Sequence, residues 1–336
     1  MKKLVTGLFA ILFLCFIHHQ TYAQAFFKER KGKDIGYIAV GGSVGIMNYF
    51  GDLNPLQQYV STDITATRPS IGIEVVRKIS PRVMGRVMFS WGRLTGNDFK
   101  AADPTDKDHR YRYIRNAHFR NDIYELSLTF TYDLKPSRFI YYKRANYTPF
   151  IVIGIAGFYH NPMAKAPESL GGGWTALRPL STEGQGLVRS SGPNAGTSYG
   201  KKYSLFQPAI PIGAGVRFKL NDRTDLSVEV AYRWLFTDYI DDVSKDYANP
   251  ADLPSDLSRA MADRTLEQID ARTGGSRVDD LAKLKQEFGL EPNARFAGFG
   301  IDGDKRGEAT NTDVYILTAV HLTRIINVGL RCPKFK

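Results

Sequence analysis

The feature that most constrains this chain is a period-two alternation of apolar and polar residues that recurs along most of its length. Successive side chains of a strand point to opposite faces, so such a run describes a strand with one apolar and one polar face. In residues 122–134, Tyr124, Leu126, Leu128, Phe130, Tyr132 and Leu134 alternate with Glu125, Ser127, Thr129, Thr131 and Asp133. The same ruler fits residues 83–92, 210–220 and 224–234, and more weakly 35–50, 68–79, 149–159 and 313–324. These eight segments exceed the usual soluble strand of about 5–6 residues and suit a tilted strand crossing a bilayer, which needs about 9–11.

The connections alternate in length. Short ones fall at 80–82, 135–147 and 221–223; long ones at 51–67, 96–120, 160–203 and 239–311. Short turns alternating with long loops are the pattern of an outer-membrane barrel, in which an even strand number leaves both termini in the periplasm. The fold class expected is therefore all-β, an eight-stranded antiparallel transmembrane barrel with long external loops. A soluble sandwich or lipocalin-like barrel is the alternative, and the polar face decides against it. That face carries Glu74, Arg86, Glu125, Arg217, Glu229 and Arg233 near mid-strand, a set suited to pairing inside a narrow lumen. Aromatic residues near strand ends (Tyr49, Phe50, Trp91, Tyr132, Phe158, Tyr159, Trp234, Tyr239) are expected to form interface girdles. Eight strands leave room only for the barrel's own side chains, so a diffusive porin is not expected.

The ends of the chain fit export. Residues 1–23 read as a signal peptide, with Lys2 and Lys3, an apolar run over 4–17, and Thr21-Tyr22-Ala23 before the cleavage point. The mature chain, 24–336, is then one barrel domain. Removal of Lys2 and Lys3 takes the formal net charge from +11 to +9. An exported basic protein is expected to meet lipid or protein rather than nucleic acid. Loss of Cys15 leaves Cys332 as the one cysteine, a free thiol or an intermolecular disulfide partner in an oxidising compartment.

Motifs for chemistry are sparse. His109, His118, His160 and His321 lack metal-ligand spacing, and lone loop histidines are expected to face solvent. No cofactor, metal or catalytic set is expected; a lipid-modifying barrel enzyme is the rival for which His118 with Asp122 or His160 would be the candidates, but no spacing distinguishes them from surface residues. A stand-alone adhesion barrel is the other rival. Gly171-Gly172-Gly173 reads as a turn, not a phosphate cradle. Residues 254–273 and 276–288 have helical spacing, with Asp256 and Ser276 as caps. The periplasmic side is expected to present Lys135, Arg138, Phe139, Tyr141, Tyr142, Lys143 and Arg144 in the middle turn, a basic stretch over 26–33, and Arg331 in the tail. Interleaved basic and aromatic residues suit a lipid surface or a protein interface.

Several segments resemble the PorG family of outer-membrane barrels from the type IX secretion system. They are Asn48-Tyr49-Phe50-Gly51-Asp52, Arg115-Asn116 with Phe119, Asp122-Ile123-Tyr124-Glu125, and Phe158-Tyr159-His160-Asn161-Pro162. The most specific are 179–186, containing Thr182, Glu183, Gly184, Gln185 and Gly186, and 236–244, containing Asp238, Tyr239, Asp241 and Asp242. Residues 260–264 and Arg306-Gly307 extend the likeness over nearly the whole mature chain. The resemblance implies a non-enzymatic outer-membrane barrel that anchors or positions a periplasmic ring of PorK lipoprotein and PorN, serving protein secretion and, in gliding species, motility. It also implies a disulfide from Cys332 to PorK. The residues themselves suggest that Glu183 and the Asp238, Asp241, Asp242 cluster brace loops through a salt network, with calcium coordination as the alternative.

Overall fold

The computed structural model describes residues 36–53, 66–107, 109–137, 141–310 and 312–327. The expected signal peptide, the stretch 26–33, and Arg138, Phe139, Arg331 and Cys332 lie outside them. Eight long strands make up the wall: β1 (Ile38–Phe50), β2 (Arg68–Lys78), β3 (Val83–Asn97), β4 (His118–Asp133), β5 (Tyr147–Tyr159), β8 (Phe206–Lys219), β9 (Thr224–Leu235) and β10 (Val314–Asn327). A small hairpin, β6 (Met163–Lys165) and β7 (Trp174–Ala176), sits on the end of β4. Every pairing is antiparallel, in the order β3-β2-β1-β10-β9-β8-β5-β4, and a β3–β4 ladder closes the circle. All eight segments expected from the alternation are strands, with β3, β4 and β8 running further toward the long loops than the alternation extends.

The faces divide as a membrane barrel requires. Ile73 (68 % exposed), Ile155 (63 %), Val44 (63 %) and Leu126 (58 %) point outward, whereas Glu125 (0 %) and Glu229 (2 %) point inward. A soluble barrel would reverse this, because apolar surface on the outside loses about 25 cal/mol for every Å² left in water. In a bilayer the same belt is solvated by acyl chains, and closure leaves no unpaired edge in the hydrocarbon. Among the described residues no helix is long and apolar enough to cross a membrane.

Parity corrects the expected girdle. Tyr49 and Phe158 lie on the inward register and are buried, Phe50 is buried on the outward parity at the loop end of β1, and Trp234, Tyr132, Tyr124 and Tyr147 are exposed on the outside. Side-chain direction, not distance from a strand end, decides which aromatics reach the interface.

The long loops fold over one mouth. They hold α1 (Asp98–Ala101), α2 (Arg110–Arg115), α3 (Asp256–Ala262) and α4 (Val278–Glu287). The first expected helix of the last loop is much shorter than its spacing suggests. Asp263 turns the chain by accepting hydrogen bonds from the Thr265 amide (3.0 Å) and hydroxyl (2.6 Å), so Leu266 and Ile269 lie outside the helix and exposed. Ser255, one residue before Asp256, caps α3 by accepting from the Ser258 amide (3.1 Å), and Arg277 occupies the cap position of α4. The cap has its own small cores: Tyr113, Ile114, Leu281, Leu284 and Phe296 join the second and fourth long loops, and Ala164, Leu177 and Met261 join the third and fourth. Gly171 and Gly172 adopt positive φ in a turn, as read from the sequence.

Candidate functional site

The inward faces build a column of ion pairs. Arg86 on β3 makes a two-pronged bond to Glu229 on β9 (2.7 and 2.8 Å), donates to Thr129 (3.1 Å), and lies 3.7 Å from Glu74 on β2. Glu74 is 3.0 Å from His321 on β10. Nearer the long loops, Arg233 donates to Glu125 (3.3 and 3.1 Å), which also accepts from the Tyr315 hydroxyl (2.6 Å). Nearer the short turns, Arg217 (3.0 Å) and Lys78 (2.7 Å) meet on Asp133. All six charges singled out in the sequence thus face the lumen, in three groups rather than one. Asp133, on the polar face read from the sequence, joins them; Lys78 and Asp225 share the parity of Glu74 and Glu229 on β2 and β9, and extending the period-two ruler to those strand ends finds them, while His321 enters from the middle of β10. A lumenal cavity beside Glu74, Arg86 and His321 measures about 20 Å³, room for one water.

At the long-loop end a second, denser cluster forms where five distant segments meet. The Tyr49 hydroxyl lies 2.5 Å from Asp241 and 2.8 Å from Asp313. One hydroxyl carries one proton, so the two carboxyls share a single donor there. Burial and mutual repulsion agree: Asp313 is pushed up to about 8, Asp241 lies well above the carboxylate range, and Asp238 is raised to about 9 by burial beside Asp313. Among the described residues no donor meets the hydrogen-bond geometry for either carboxyl oxygen of Asp238.

Glu183 accepts from the Ser244 amide (2.9 Å) and from Arg306 (2.9 Å). Arg306 also donates to the Asp242 carbonyl (2.6 Å), and the Asp242 carboxylate receives the Tyr203 hydroxyl (2.6 Å) and the Thr182 hydroxyl. Arg115 pairs with Asp98 (2.8 and 3.0 Å) and donates to the carbonyls of Arg306 (2.8 Å) and Asp52 (2.8 Å), and the Asp52 carboxylate accepts from the Glu308 amide (3.0 Å). Gln185 receives the Glu183 amide (3.1 Å). Tyr239 stacks on Tyr203 at 4.7 Å.

Close approach explains two of the glycines. A Cβ on Gly51 would sit 2.0 Å from Asp313 Oδ1 and 2.1 Å from the Tyr49 hydroxyl. One on Gly307 would sit 2.5 Å from Asp52 Oδ2 and 2.8 Å from the Ser244 amide. The acidic motif therefore braces loops, and among the described residues no three His, Cys, Asp or Glu side chains are arranged to hold a metal ion. Asp98, Tyr203 and Asp313 belong to this knot and escaped the sequence reading, since isolated residues at loop ends carry no spacing signal.

His109 is half-buried beside Asp106 (3.0 Å), whereas His118 and His160 are buried, unlike the solvent-facing loop residues expected. His118 accepts the Lys165 amide at Nε2 (3.0 Å), with Asp270 3.9 Å from its Nδ1. His160 is buried between Asn121 (3.4 Å) and the Ser204 carbonyl (3.1 Å), and burial lowers it to about 4. Asp122 points away to pair with Arg93 (2.6 Å).

At the short-turn end, one expected contact residue is a brace instead. Arg144 is 8 % exposed; it donates to the carbonyls of Tyr141, Asn221 (3.2 Å) and Asp222 (2.8 Å) and pairs with Asp225 (2.8 Å). Five guanidinium donors suit several acceptors at once, which draws the residue off the surface. Lys135 lies over the Tyr147 ring at 3.3 Å, Tyr141 packs beside Tyr37, and Tyr142 and Lys143 are exposed.

A barrel whose outside is apolar, whose lumen is filled by paired charges and whose mouth is covered by interlocked loops is an outer-membrane β-barrel built as a closed body. Residues 8–166 match a family described as "Domain of unknown function (DUF6089)". No curated protein matches the chain in sequence. Among solved structures it is similar to Neisserial surface protein A (9 % identity, 86 % of this chain and 97 % of that one, TM-score 0.36). It is also similar to OprG of Pseudomonas aeruginosa (7 %, 89 % and 100 %, TM-score 0.34) and to Ail, the attachment invasion locus protein of Yersinia pestis (6 %, 87 % and 99 %, TM-score 0.31). These low scores add no argument to the topology read directly from the strand register.

Proposed function

We propose that the protein is a non-enzymatic scaffold of the outer membrane that anchors or positions a periplasmic PorK/PorN ring of the type IX secretion system. The observation that carries this reading is the convergence of the PorG-like motifs. Gly51-Asp52, Arg115, Thr182 to Gln185, Asp238 to Asp242 and Arg306-Gly307 are scattered over the sequence yet hydrogen-bond in one buried knot. Motifs that share one structural task are what a family resemblance predicts. The charge-filled lumen fits an anchor better than a conduit, since a permeant solute would have to break buried ion pairs.

In this reading the long loops are external, the N-terminal segment is removed on export, and both termini are periplasmic. Ring contact falls to Lys135, Tyr141, Tyr142 and Lys143 together with the tail carrying Arg331 and Cys332. The test is a mild-detergent pull-down of tagged protein from outer membranes, run on non-reducing gels beside Cys332→Ser, with mass spectrometry of each band. A reductant-sensitive band containing a ring lipoprotein, lost in the variant, supports scaffold and bridge together. Equal recovery of the ring from the variant removes the bridge alone. A barrel recovered without the ring, under conditions that keep the ring intact, overturns the scaffold.

A further inference from the structure

The outer wall carries a groove that neither the ion-pair column nor the loop knot uses. The ladders align Phe89, Leu126, Gly157 and Pro208 in one row across β3, β4, β5 and β8. The next row toward the long loops is Trp91, Tyr124, Tyr159 and Phe206. In the first row Gly157 has no side chain and Pro208 a short one, while in the second the rings stand side by side, Tyr124 to Tyr159 at 6.4 Å and Tyr159 to Phe206 at 5.1 Å. The result is a notch of about 460 Å³, walled by Phe89 and Leu126 and roofed by Tyr124, Tyr159 and Phe206. Its volume lies within the roughly 300–1,000 Å³ of small-molecule sites.

Two observations identify what fills it. The notch opens through the apolar belt, so the medium it faces is hydrocarbon, and a straight apolar chain is the occupant that medium supplies. Further along the same outward face of β4, Asp122 and Arg120 follow Tyr124, about 14 Å and about 20 Å from the Leu126 row at about 3.4 Å per residue. Asp122 is neutralised by Arg93 (2.6 Å). Arg120 has no carboxylate in ion-pair range among the described residues; its guanidinium lies 4.2 Å from the Trp174 ring centre, and its Nε makes no hydrogen bond. Its Nη2 donates to Met163 Sδ (3.9 Å), and among the described residues the charge beyond the notch, on the long-loop side, has no anionic partner.

We propose that this notch is a binding site for one acyl chain of an anionic phosphate-bearing membrane lipid, with Gly157 admitting the chain and Arg120 receiving the phosphate. The site is independent of the ring partner. Gly157 offers a clean perturbation, because a Cβ built there meets nothing within 4 Å; Gly157→Phe starts a side chain into the notch where the acyl chain would lie. Protein delipidated in detergent is titrated with dimyristoylphosphatidylglycerol or dimyristoylphosphatidylcholine and read by native mass spectrometry, with the heat-modifiable gel shift as the check on folding. One phosphatidylglycerol retained by the wild type, retention of both lipids weakened about tenfold or more by Gly157→Phe, and loss of the phosphatidylglycerol preference in Arg120→Gln are the expected results. Unchanged retention in folded Gly157→Phe overturns the chain site, and an unchanged preference in Arg120→Gln overturns the phosphate contact. On the wild type itself, a lipid with a diazirine at its chain end should label β4, β5 and β8 around Leu126, Gly157 and Pro208. Label spread evenly over the belt, Ile73 and Val44 included, overturns the proposal without recourse to a variant.

Discussion

Removing the Arg86 guanidinium should be far more damaging than removing its whole ion pair. The Arg86 and Glu229 side chains are 6 % and 3 % exposed, which places the pair with buried salt bridges rather than with surface ones worth about 0–1 kcal/mol. Arg86→Met deletes both short bonds to Glu229 and leaves Glu229 and Glu74 facing each other across the lumen. Breaking a buried pair from one side costs about 3–5 kcal/mol, because the remaining charge stays desolvated. Replacing both partners by apolar residues of similar volume is often neutral or stabilising by about 1–4 kcal/mol, so Arg86→Met with Glu229→Met should recover most or all of the loss. Glu74 retains His321 at 3.0 Å in either variant. Urea unfolding in detergent, followed by tryptophan fluorescence and the heat-modifiable gel shift, reads the change as a shifted midpoint at constant slope. A single variant costing under about 1 kcal/mol, or a double variant as unstable as the sum of the two singles, would refute the reasoning.

Three further outcomes are expected. Asp313, Asp238 and Asp241 titrate above ordinary carboxylates, so the closed knot holds protons that the opened loops release; its stability is full below about pH 4 and falls as pH rises through about 8 to 9. Hydrogen exchange of amides 237–245, corrected for intrinsic rate, should show that loss, and Asp238→Asn with Asp313→Asn should flatten it; a pH-independent opening constant would contradict it. Gly51→Ala places a methyl against Asp313 and Tyr49, and should raise protease cutting within residues 236–250 by about tenfold while the barrel still gives its gel shift. Arg277 is fully buried and donates to the carbonyls of Arg264 (3.2 Å), Glu267 (2.6 Å), Tyr113 (2.6 Å) and Ile114 (3.1 Å), so Arg277→Met should cost about 3 kcal/mol or more in cap opening, measured by exchange in residues 110–117 and 264–284.

Strand number, order of short and long connections and the inward charges were legible because a barrel wall repeats one rule at every position. Where that rule stops, so did the reading. Arg144 and His160 have ordinary exposed-loop signatures, and only the folded loops reveal the carbonyls that draw each inside. Place along a strand alone puts Tyr49 and Phe158 in the girdles, yet one residue of parity separates lumen from lipid. The knot was visible as motifs but not as an assembly: nothing in the spacing of Asp52, Asp98, Glu183, Asp242 and Arg306 announces that they meet. The gap at Gly157 was equally silent, since a missing side chain has meaning only beside its cross-strand neighbours.

Strand β10 ends at the short-turn mouth, bonded on one side to β1 from Asn327 back to Val314 and on the other to β9 from Arg324 back to Val314. Antiparallel ladder bonds run across the strands, perpendicular to their length. A pull on the chain beyond Asn327 is therefore a shear load, shared by two rows of bonds at once instead of being unzipped one bond after another. Whatever is fastened to that tail is held by a mechanically stiff terminus, and a force large enough to free it must slide a whole strand out of a closed wall.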